Sequence, residues 1–101
     1  MKLLTQELRH RFPKLGEMDG KDPSQVKVIA KFFDPCSRWT WYATEFDGQD
    51  IFFGFVCGIE NELGYFSLSE LERVRNRLGL GIERDRHFGE HTLAEVMEEH
   101  I

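Results

Sequence analysis

The stretch that decides the fold is residues 38–58, which read RWTWYATEFDGQDIFFGFVCG. Both halves of this stretch are rich in aromatic and β-branched side chains, a composition typical of β-strands. Between them, Asp47-Gly48 is a strong signal for a tight turn joining two antiparallel strands. Residues 38–58 therefore predict a central aromatic β-hairpin.

Alternation along the hairpin assigns its side chains to two faces, because successive residues of a strand point in opposite directions. One predicted face contains Thr40, Tyr42, Thr44, Phe46, Ile51, Phe53, Phe55 and Cys57. The other contains Trp39, Trp41, Ala43, Glu45, Phe52, Gly54, Val56 and Gly58, where the glycines leave room for the two indole rings. Since both faces are largely apolar, something must cover each of them, and the short helices of the chain are expected to leave one face for a partner or a second copy.

The segments around the hairpin predict further strands. Residues 25–33 alternate between apolar and polar positions, which indicates one continuous strand with a solvated side. The side chains on its apolar side are Val26, Val28, Ala30 and Phe32. Residues 63–66 predict a fourth strand, and residues 80–84 predict a short fifth one. The sheet should therefore be antiparallel, with four or five strands.

Three short helices are expected at about residues 4–12, 68–78 and 93–100. Thr5 can cap the first helix, and Ser67 and Thr92 are each followed three residues later by a glutamate, which is the capping-box pattern. The second helix should bury one apolar stripe and end at Gly79. That stripe consists of Leu68, Leu71, Val74 and Leu78. Together these elements predict an α+β fold over a single domain, residues 1–101.

Composition and charge exclude several classes of protein. The 101 residues are 41% hydrophobic and 31% charged, which is too apolar for a disordered chain, and the formal net charge is -5. A protein that binds nucleic acid over its whole surface is normally basic, so this class is disfavoured. Residues 1–10 lack the pattern of an export signal, and the longest apolar stretch, residues 51–59, is much shorter than the roughly 20 residues of a membrane helix. We expect a cytoplasmic protein with no membrane partner.

Acidic residues are concentrated around the hairpin. Between Arg38 and Arg73 the chain has no lysine or arginine, yet it has seven aspartates and glutamates. An acidic rim beside an aromatic sheet predicts a docking surface for a protein partner or for a second copy of the chain. The candidate partner-binding residues are Trp39, Trp41, Tyr42, Glu45, Asp47, Asp50, Glu60 and Glu62.

The basic residues that follow the rim suggest an alternative. A cluster of arginines could bind nucleic acid or a nucleotide, with the tryptophans stacking on bases. The residues concerned are Arg73, Arg75, Arg77, Arg84 and Arg86. Because glutamates and Asp85 are interleaved with these arginines, we favour ordinary surface charge pairs over nucleic-acid binding.

Few sequence features suggest catalysis. His87 and His91 frame an H-x-x-E-H pattern, which holds zinc only when it lies on a helix. Gly89 interrupts the segment and Thr92 resembles a helix cap, so we interpret residues 87–91 as a loop and as a weak metal candidate at most.

Cys36 and Cys57 are interpreted as two reduced, packed thiols. The motifs of hydrolases and nucleotide-binding enzymes are absent, so no catalytic residue, resident metal or cofactor is predicted, and a small metal-dependent or hydrolytic enzyme is the last alternative.

Residues 39–48 (WTWYATEFDG) and 63–71 (LGYFSLSEL) carry a resemblance to a known family. They resemble the domain of unknown function family 2958. A weaker likeness to this family extends over nearly the whole chain. The resemblance implies a small bacterial protein found with plasmids, integrative elements or phages, and it supplies no activity or site residues. The sequence as a whole therefore predicts a binding or accessory protein, an interaction module of a mobile genetic element, rather than an enzyme.

Overall fold

An antiparallel sheet of five strands is the centre of the computed structural model, which describes residues 2–101. Its strands are β2 (Ala30–Phe33), β3 (Thr40–Phe46), β4 (Ile51–Cys57), β5 (Asn61–Ser67) and β6 (Glu83–Arg84), in the order β5-β4-β3-β2-β6. Two further strands, β1 (Lys27–Val28) and β7 (His91–Thr92), pair with each other. The predicted α+β fold and its central hairpin are confirmed, whereas Met1, the first residue of the predicted domain, lies outside the described residues.

The three expected helices are present as α1 (Gln6–Arg11), α2 (Leu68–Arg73) and α3 (Leu93–Glu99), and a short 3-10 turn covers Pro23–Gln25. The side chains of Thr5, Ser67 and Thr92 each accept the backbone N–H three residues later, as helix N-caps do. At Thr92 the capping box is complete, because Glu95 also accepts the backbone N–H of Thr92. The cap signals in the sequence therefore place all three helix starts.

The second helix is shorter than the predicted 68–78, since it ends at Arg73. The side-chain carbonyl of Asn76 accepts the backbone N–H groups of Leu78 and Leu80, and Arg75 forms an isolated bridge with Gly81. An asparagine side chain that binds nearby backbone groups competes with helical hydrogen bonding. Leu78, expected in the buried stripe, is consequently 75% exposed.

The predicted strand over residues 25–33 is divided at Ile29. Before this residue, β1 leaves the main sheet and pairs with β7, and after it β2 pairs with β3. Val26 and Val28 therefore enter a different core from Ala30 and Phe32, and the prediction that all four share one side is wrong.

A β-bulge at Thr44 corrects the predicted faces of the hairpin. Ala43 lies opposite Gly54 and Glu45 lies opposite Phe53, so Thr44 has no partner residue. After the bulge the alternation is inverted, and Phe46 shares a face with Phe52. Glu45 moves to the opposite face. The faces predicted for residues 40–43 agree with the structure, but those predicted for Glu45 and Phe46 are wrong.

Each face of the sheet has its own core. The first, core A, is covered by α2 and the N-terminal segment and contains Leu3, Leu4, Ala30, Phe32, Ala43, Phe46, Phe52, Leu68, Leu71 and Ile82. The second, core B, is covered by α3 and β1 and contains Val26, Val28, Tyr42, Phe55, Cys57, Leu93 and Val96. The chain therefore covers both faces of the hairpin itself, so the expectation that one face is left for a partner or a second copy is wrong.

Candidate functional site

The outer side of β5 is an open edge of the sheet. β5 has seven residues and is hydrogen-bonded to β4 alone among the strands described within residues 2–101. Edge strands in soluble proteins are commonly short or protected by lysine, proline or a bulge. β5 has neither lysine nor proline, and its register with β4 is regular over all seven pairs. It therefore presents a row of backbone N–H and C=O groups with no strand beside them.

Apolar side chains lie next to this open edge. On the face that carries core B, Tyr65 is 70% exposed and Leu63 is 45% exposed. Tyr65 lies opposite Phe53, with ring centroids 5.1 Å apart in an edge-to-face arrangement, and Leu63 lies opposite Phe55. The C-terminal end of α3 covers Phe55 through the ring of His100 but leaves Tyr65 exposed. We call the group of Phe53, Leu63 and Tyr65 the edge patch.

Both ends of β5 are fixed by hydrogen bonds. At its start, the side-chain amide of Asn61 donates to the backbone carbonyl of His100 at 3.0 Å. At its end, the Ser67 hydroxyl donates to the Asp50 carboxylate at 2.7 Å, and the backbone N–H of Leu68 donates to the Asp50 carbonyl at 2.8 Å. An edge that is already ordered loses little conformational entropy when a partner binds.

The start of β5 is acidic. Four exposed glutamates lie near this start. Glu60 is in the turn before β5, Glu62 is in the strand, and Glu98 and Glu99 are at the adjoining end of α3. Among residues 2–101 none of these carboxylates has a cation within ion-pair distance, and residues 39–72 include no lysine or arginine. These carboxylates give this end of the edge a negative potential.

Two of the candidate partner-binding residues, Tyr42 and Glu45, are buried. The Tyr42 hydroxyl lies 2.9 Å from His100 Nε2, and burial raises the pKa of Tyr42 to about 12. The Glu45 carboxylate accepts the backbone N–H groups of Gly16 and Met18 at 2.8 and 2.9 Å. These side chains hold α3 and the loop after α1 against the sheet, so they are not available to a partner.

Asp47 and Asp50 organise the hairpin loop. The Asp47 carboxylate accepts the backbone N–H groups of three residues in the loop, Gln49, Asp50 and Ile51. Desolvation raises the pKa of Asp47, but these N–H donors together outweigh it and the pKa is lowered. The pKa of Asp50 is lowered first by the Ser67 hydroxyl and then by the backbone N–H of Ser69. Among the candidate partner-binding residues, Glu60 and Glu62 are the two acidic ones whose carboxylates have no hydrogen bond or ion pair within residues 2–101.

The two tryptophans lie on the opposite face from the edge patch. Their rings stack with centroids 5.7 Å apart and an interplanar angle of 25°. Trp41 packs against core A, while Trp39 covers Gly58 and is 39% exposed. A Cβ atom at Gly58 would collide with the Trp39 indole, which confirms that this glycine leaves room for the ring.

The arginines of the alternative site are distributed over several parts of the surface. Arg75 donates to the backbone carbonyls of Glu72 and Val74, and Arg84 donates to those of Lys2 and Leu3. Arg75 and Arg77 line one depression, beside Asp34 and Cys36, whereas Arg84 and Arg86 line a separate one. Arg73 is exposed at the end of α2. The structure therefore shows no single surface formed by all five.

The histidine pair lies outside any helix. His87 follows β6 in a turn, and His91 belongs to β7, where its Nδ1 lies 3.2 Å from the Glu95 carboxylate. The interpretation of residues 87–91 as a non-helical connection agrees with the structure. Within residues 2–101, no three histidine, cysteine, aspartate or glutamate side chains are grouped so that they could hold a metal ion.

The two cysteines are free and differ in environment. Cys57 is buried in core B, and burial raises the pKa of its thiol to about 11. Cys36 is exposed in the turn between β2 and β3. The prediction of two packed thiols is therefore correct for Cys57 and wrong for Cys36.

Sequence reasoning missed the importance of Leu63 and Tyr65. Alternating apolar residues are normally counted as the buried side of a strand. A usable signal was the Ser67 cap directly after the strand, because a helix rather than a hairpin turn follows it. A helix that begins immediately after the last strand of a meander indicates that this strand ends the sheet.

Comparisons with known proteins give one match. A family model described as “Protein of unknown function (DUF2958)” matches residues 3–99. No curated protein and no solved structure gives a significant match. Among residues 2–101, no helix has the length and apolarity needed to cross a membrane.

Proposed function

The chain belongs to the family described as protein of unknown function (DUF2958), and we propose that it acts as a protein-interaction module that binds an extended segment of a partner protein along β5. The single observation that carries this proposal is the open edge of β5, seven residues long and bordered by the exposed edge patch. An extended segment can add to such an edge as a further strand of the sheet.

The physical basis of this binding is divided between backbone and side chains. Backbone hydrogen bonds to β5 would supply affinity without regard to sequence, whereas side chains at alternate positions of the segment would supply specificity. Leu63 and Tyr65 stand two residues apart and so point to the same face. They offer two adjacent apolar contacts to alternate residues of an added strand.

The cellular setting is part of the proposal. The resemblance implies bacterial plasmids and other mobile elements, so the first partners to test are proteins encoded beside this one. As part of the same proposal, we place the interaction in the cytoplasm.

The test begins with a phage-displayed library of random peptides selected on the immobilised protein. Enriched peptides are then measured by isothermal titration calorimetry against the double variant Leu63→Ser/Tyr65→Ser. We expect this variant to bind at least about tenfold more weakly, a loss of about 1.4 kcal/mol. The control is Leu78→Ser, which removes an exposed apolar side chain elsewhere on the surface. Failure to enrich any sequence, or equal affinity for all three proteins, would overturn the proposal.

Strand addition is then separated from other modes of binding by backbone chemistry. Two versions of an enriched peptide are made, one N-methylated at odd positions and one at even positions. In an added strand, alternate N–H groups point to the same side. We expect one version to lose binding and the other to retain it, because only one set of N–H groups faces β5. Loss of binding by both versions, or by neither, contradicts strand addition.

A further inference from the structure

We infer that the segment accepted by β5 is basic, with lysine or arginine alternating with apolar residues. This inference rests on the proposed function and names the chemistry of the partner. It depends on the charge around the start of β5 and on the face to which each side chain of that strand points.

The charged residues of β5 and of the turn before it are acidic. Glu60 and Glu62 are exposed, and their carboxylates have no cation within ion-pair distance among residues 2–101. Glu98 and Glu99 are brought to the same end of the strand by the bond between Asn61 and the His100 carbonyl. A partner bearing positive charge would be attracted to this end, and the attraction would weaken with salt.

The positions of the side chains determine the pattern in the partner. Glu62 lies opposite Val56, on the face that carries core A, whereas Leu63 and Tyr65 lie on the other face. An added strand would place its own alternate residues beside these two different surfaces. The residues beside the edge patch should be apolar, and those beside Glu62 should be basic.

A second copy of the chain fits this surface less well. Antiparallel pairing of two β5 strands centred on Gly64 would place Leu63 opposite Tyr65, which is favourable for apolar contact. It would also place the acidic start of each β5 beside the end of the partner strand, where residues 64–68 carry no lysine or arginine, in two chains that each have a formal net charge of -5. Like charges gathered at an interface oppose association, so charge complementarity favours a basic partner over a second copy.

The experiment uses two synthetic peptides of about nine residues with blocked ends. Both carry valine and leucine at the same alternate positions, with lysine at the remaining positions in one and glutamine in the other. Affinity is measured by titration calorimetry at about 0.05 M and 0.5 M sodium chloride, and the binding site is mapped by amide chemical shifts. We expect the lysine peptide to bind β5 about tenfold more tightly at low salt, with the difference greatly reduced at high salt.

Matched variants assign the preference to particular carboxylates. In Glu60→Gln/Glu62→Gln the preference for the lysine peptide should largely disappear. In Glu72→Gln/Glu90→Gln, which makes the same change of net charge at exposed positions elsewhere, the preference should persist. Equal loss in both variants would mean that net charge alone attracts the peptide, and it would overturn the inference.

The remaining outcomes separate this inference from the proposed function. If the glutamine peptide binds β5 as tightly as the lysine peptide at low salt, the edge accepts strands but the basic preference is wrong. If neither peptide shifts β5 resonances, the basic preference is wrong, and the library selection then decides on the proposed function itself. If β5 resonances change only on dilution, with a matching change in mass by light scattering, a second copy occupies the edge and the basic partner is excluded.

Discussion

The two edges of the sheet, β5 and β6, are protected to different degrees. β6 has two residues, both half-buried, and the Arg84 guanidinium fixes the N-terminal segment beside it by donating to the carbonyls of Lys2 and Leu3. β5 has seven residues, and its apolar side chains reach solvent. Since one edge is short and covered, exposure of the other is not imposed by the small size of the protein. The contrast supports a binding role for β5.

The largest loss of stability is expected when β4, the strand that supports the open edge, is disrupted. In Gly54→Ala, the added Cβ would collide with the Tyr42 carbonyl at the bulge. We expect the free energy of unfolding, measured by urea denaturation, to fall by about 3 kcal/mol. Gly64→Ala is the control, because a Cβ at this facing position on β5 meets no atom within 4 Å, and its effect should stay within about 0.5 kcal/mol. Similar losses in both variants would contradict the contrast between an inner and an outer strand.

A second experiment makes the covered edge resemble the open one. Arg84→Ala removes the donor to the Lys2 and Leu3 carbonyls, so the N-terminal segment should detach from β6. We expect a loss of about 1–2 kcal/mol in urea denaturation, since hydrogen bonds from charged groups contribute more than neutral ones. Amide hydrogen exchange of residues 2–4 should become faster. Arg86→Ala, at an exposed position, should change neither quantity, and equal effects of the two substitutions would exclude this role for Arg84.

Acidification tests how the end of β5 is fixed. The hydroxyl of Ser67, followed by the N–H of Ser69, holds the pKa of Asp50 below its usual value of 3.8. The contribution of this carboxylate to stability is therefore present above about pH 4 and is lost as the pH falls through the lowered pKa. We expect the difference in free energy of unfolding between about pH 6 and pH 3 to be smaller in Asp50→Asn than in the wild type.

Glu60→Gln serves as the control for acidification, because the Glu60 carboxylate accepts no hydrogen bond within residues 2–101. The pH dependence of this variant should match the wild type. Asp22, Asp34, Asp47 and Glu95 also have lowered pKa values, so part of the pH dependence must remain in Asp50→Asn. An unchanged pH dependence in Asp50→Asn would show that the loop carboxylate does not stabilise the junction of β5 and α2.

The smallest effect is expected at the open edge itself. Tyr65→Ser removes a large aromatic ring, but 70% of this residue is already exposed to water. We expect the free energy of unfolding to change by no more than about 0.5 kcal/mol, as at other surface positions. A loss of binding in this variant could then be separated from unfolding. A destabilisation of several kcal/mol in thermal or urea unfolding would show that Tyr65 belongs to the core.

Local chemistry predicted much of this fold. The hairpin followed from Asp47-Gly48 between two aromatic segments, and the helix starts followed from Thr5, Ser67 and Thr92. These features depend on contacts within a few residues, so a single sequence contains the information. The division of residues 25–33 could not be read in this way, because it depends on pairing between β1 and the distant β7.

The bulge and the length of α2 could not be predicted from the sequence for related reasons. Thr44 and Gly54 are each compatible with a regular strand, and their relation becomes visible only when the two strands are paired. Val74 and Leu78 have helical spacing, but Asn76 binds the backbone after α2 and its amide donates to Asp34, 42 positions earlier in the chain. Tertiary contacts of this kind override local spacing.

For the candidate site, the sequence predicted an acidic aromatic surface, but Tyr42 and Glu45 among its candidate members are buried. Carboxylates at turns were counted as free charge, whereas Asp47 and Asp50 bind backbone and hydroxyl groups in the loop. The open edge could be located only once the strand order was known, because exposure of Tyr65 depends on what lies beside β5.

The stacked indoles supply an internal optical reporter for one side of the molecule. Trp39 and Trp41 are the two tryptophans of the chain, and both lie on the face opposite to the edge patch. Their fluorescence should therefore follow melting of core A. Stacked rings also couple their excited states, so circular dichroism should contain a tryptophan band that disappears on unfolding. Stability of the bound and free forms can then be compared without attaching any dye.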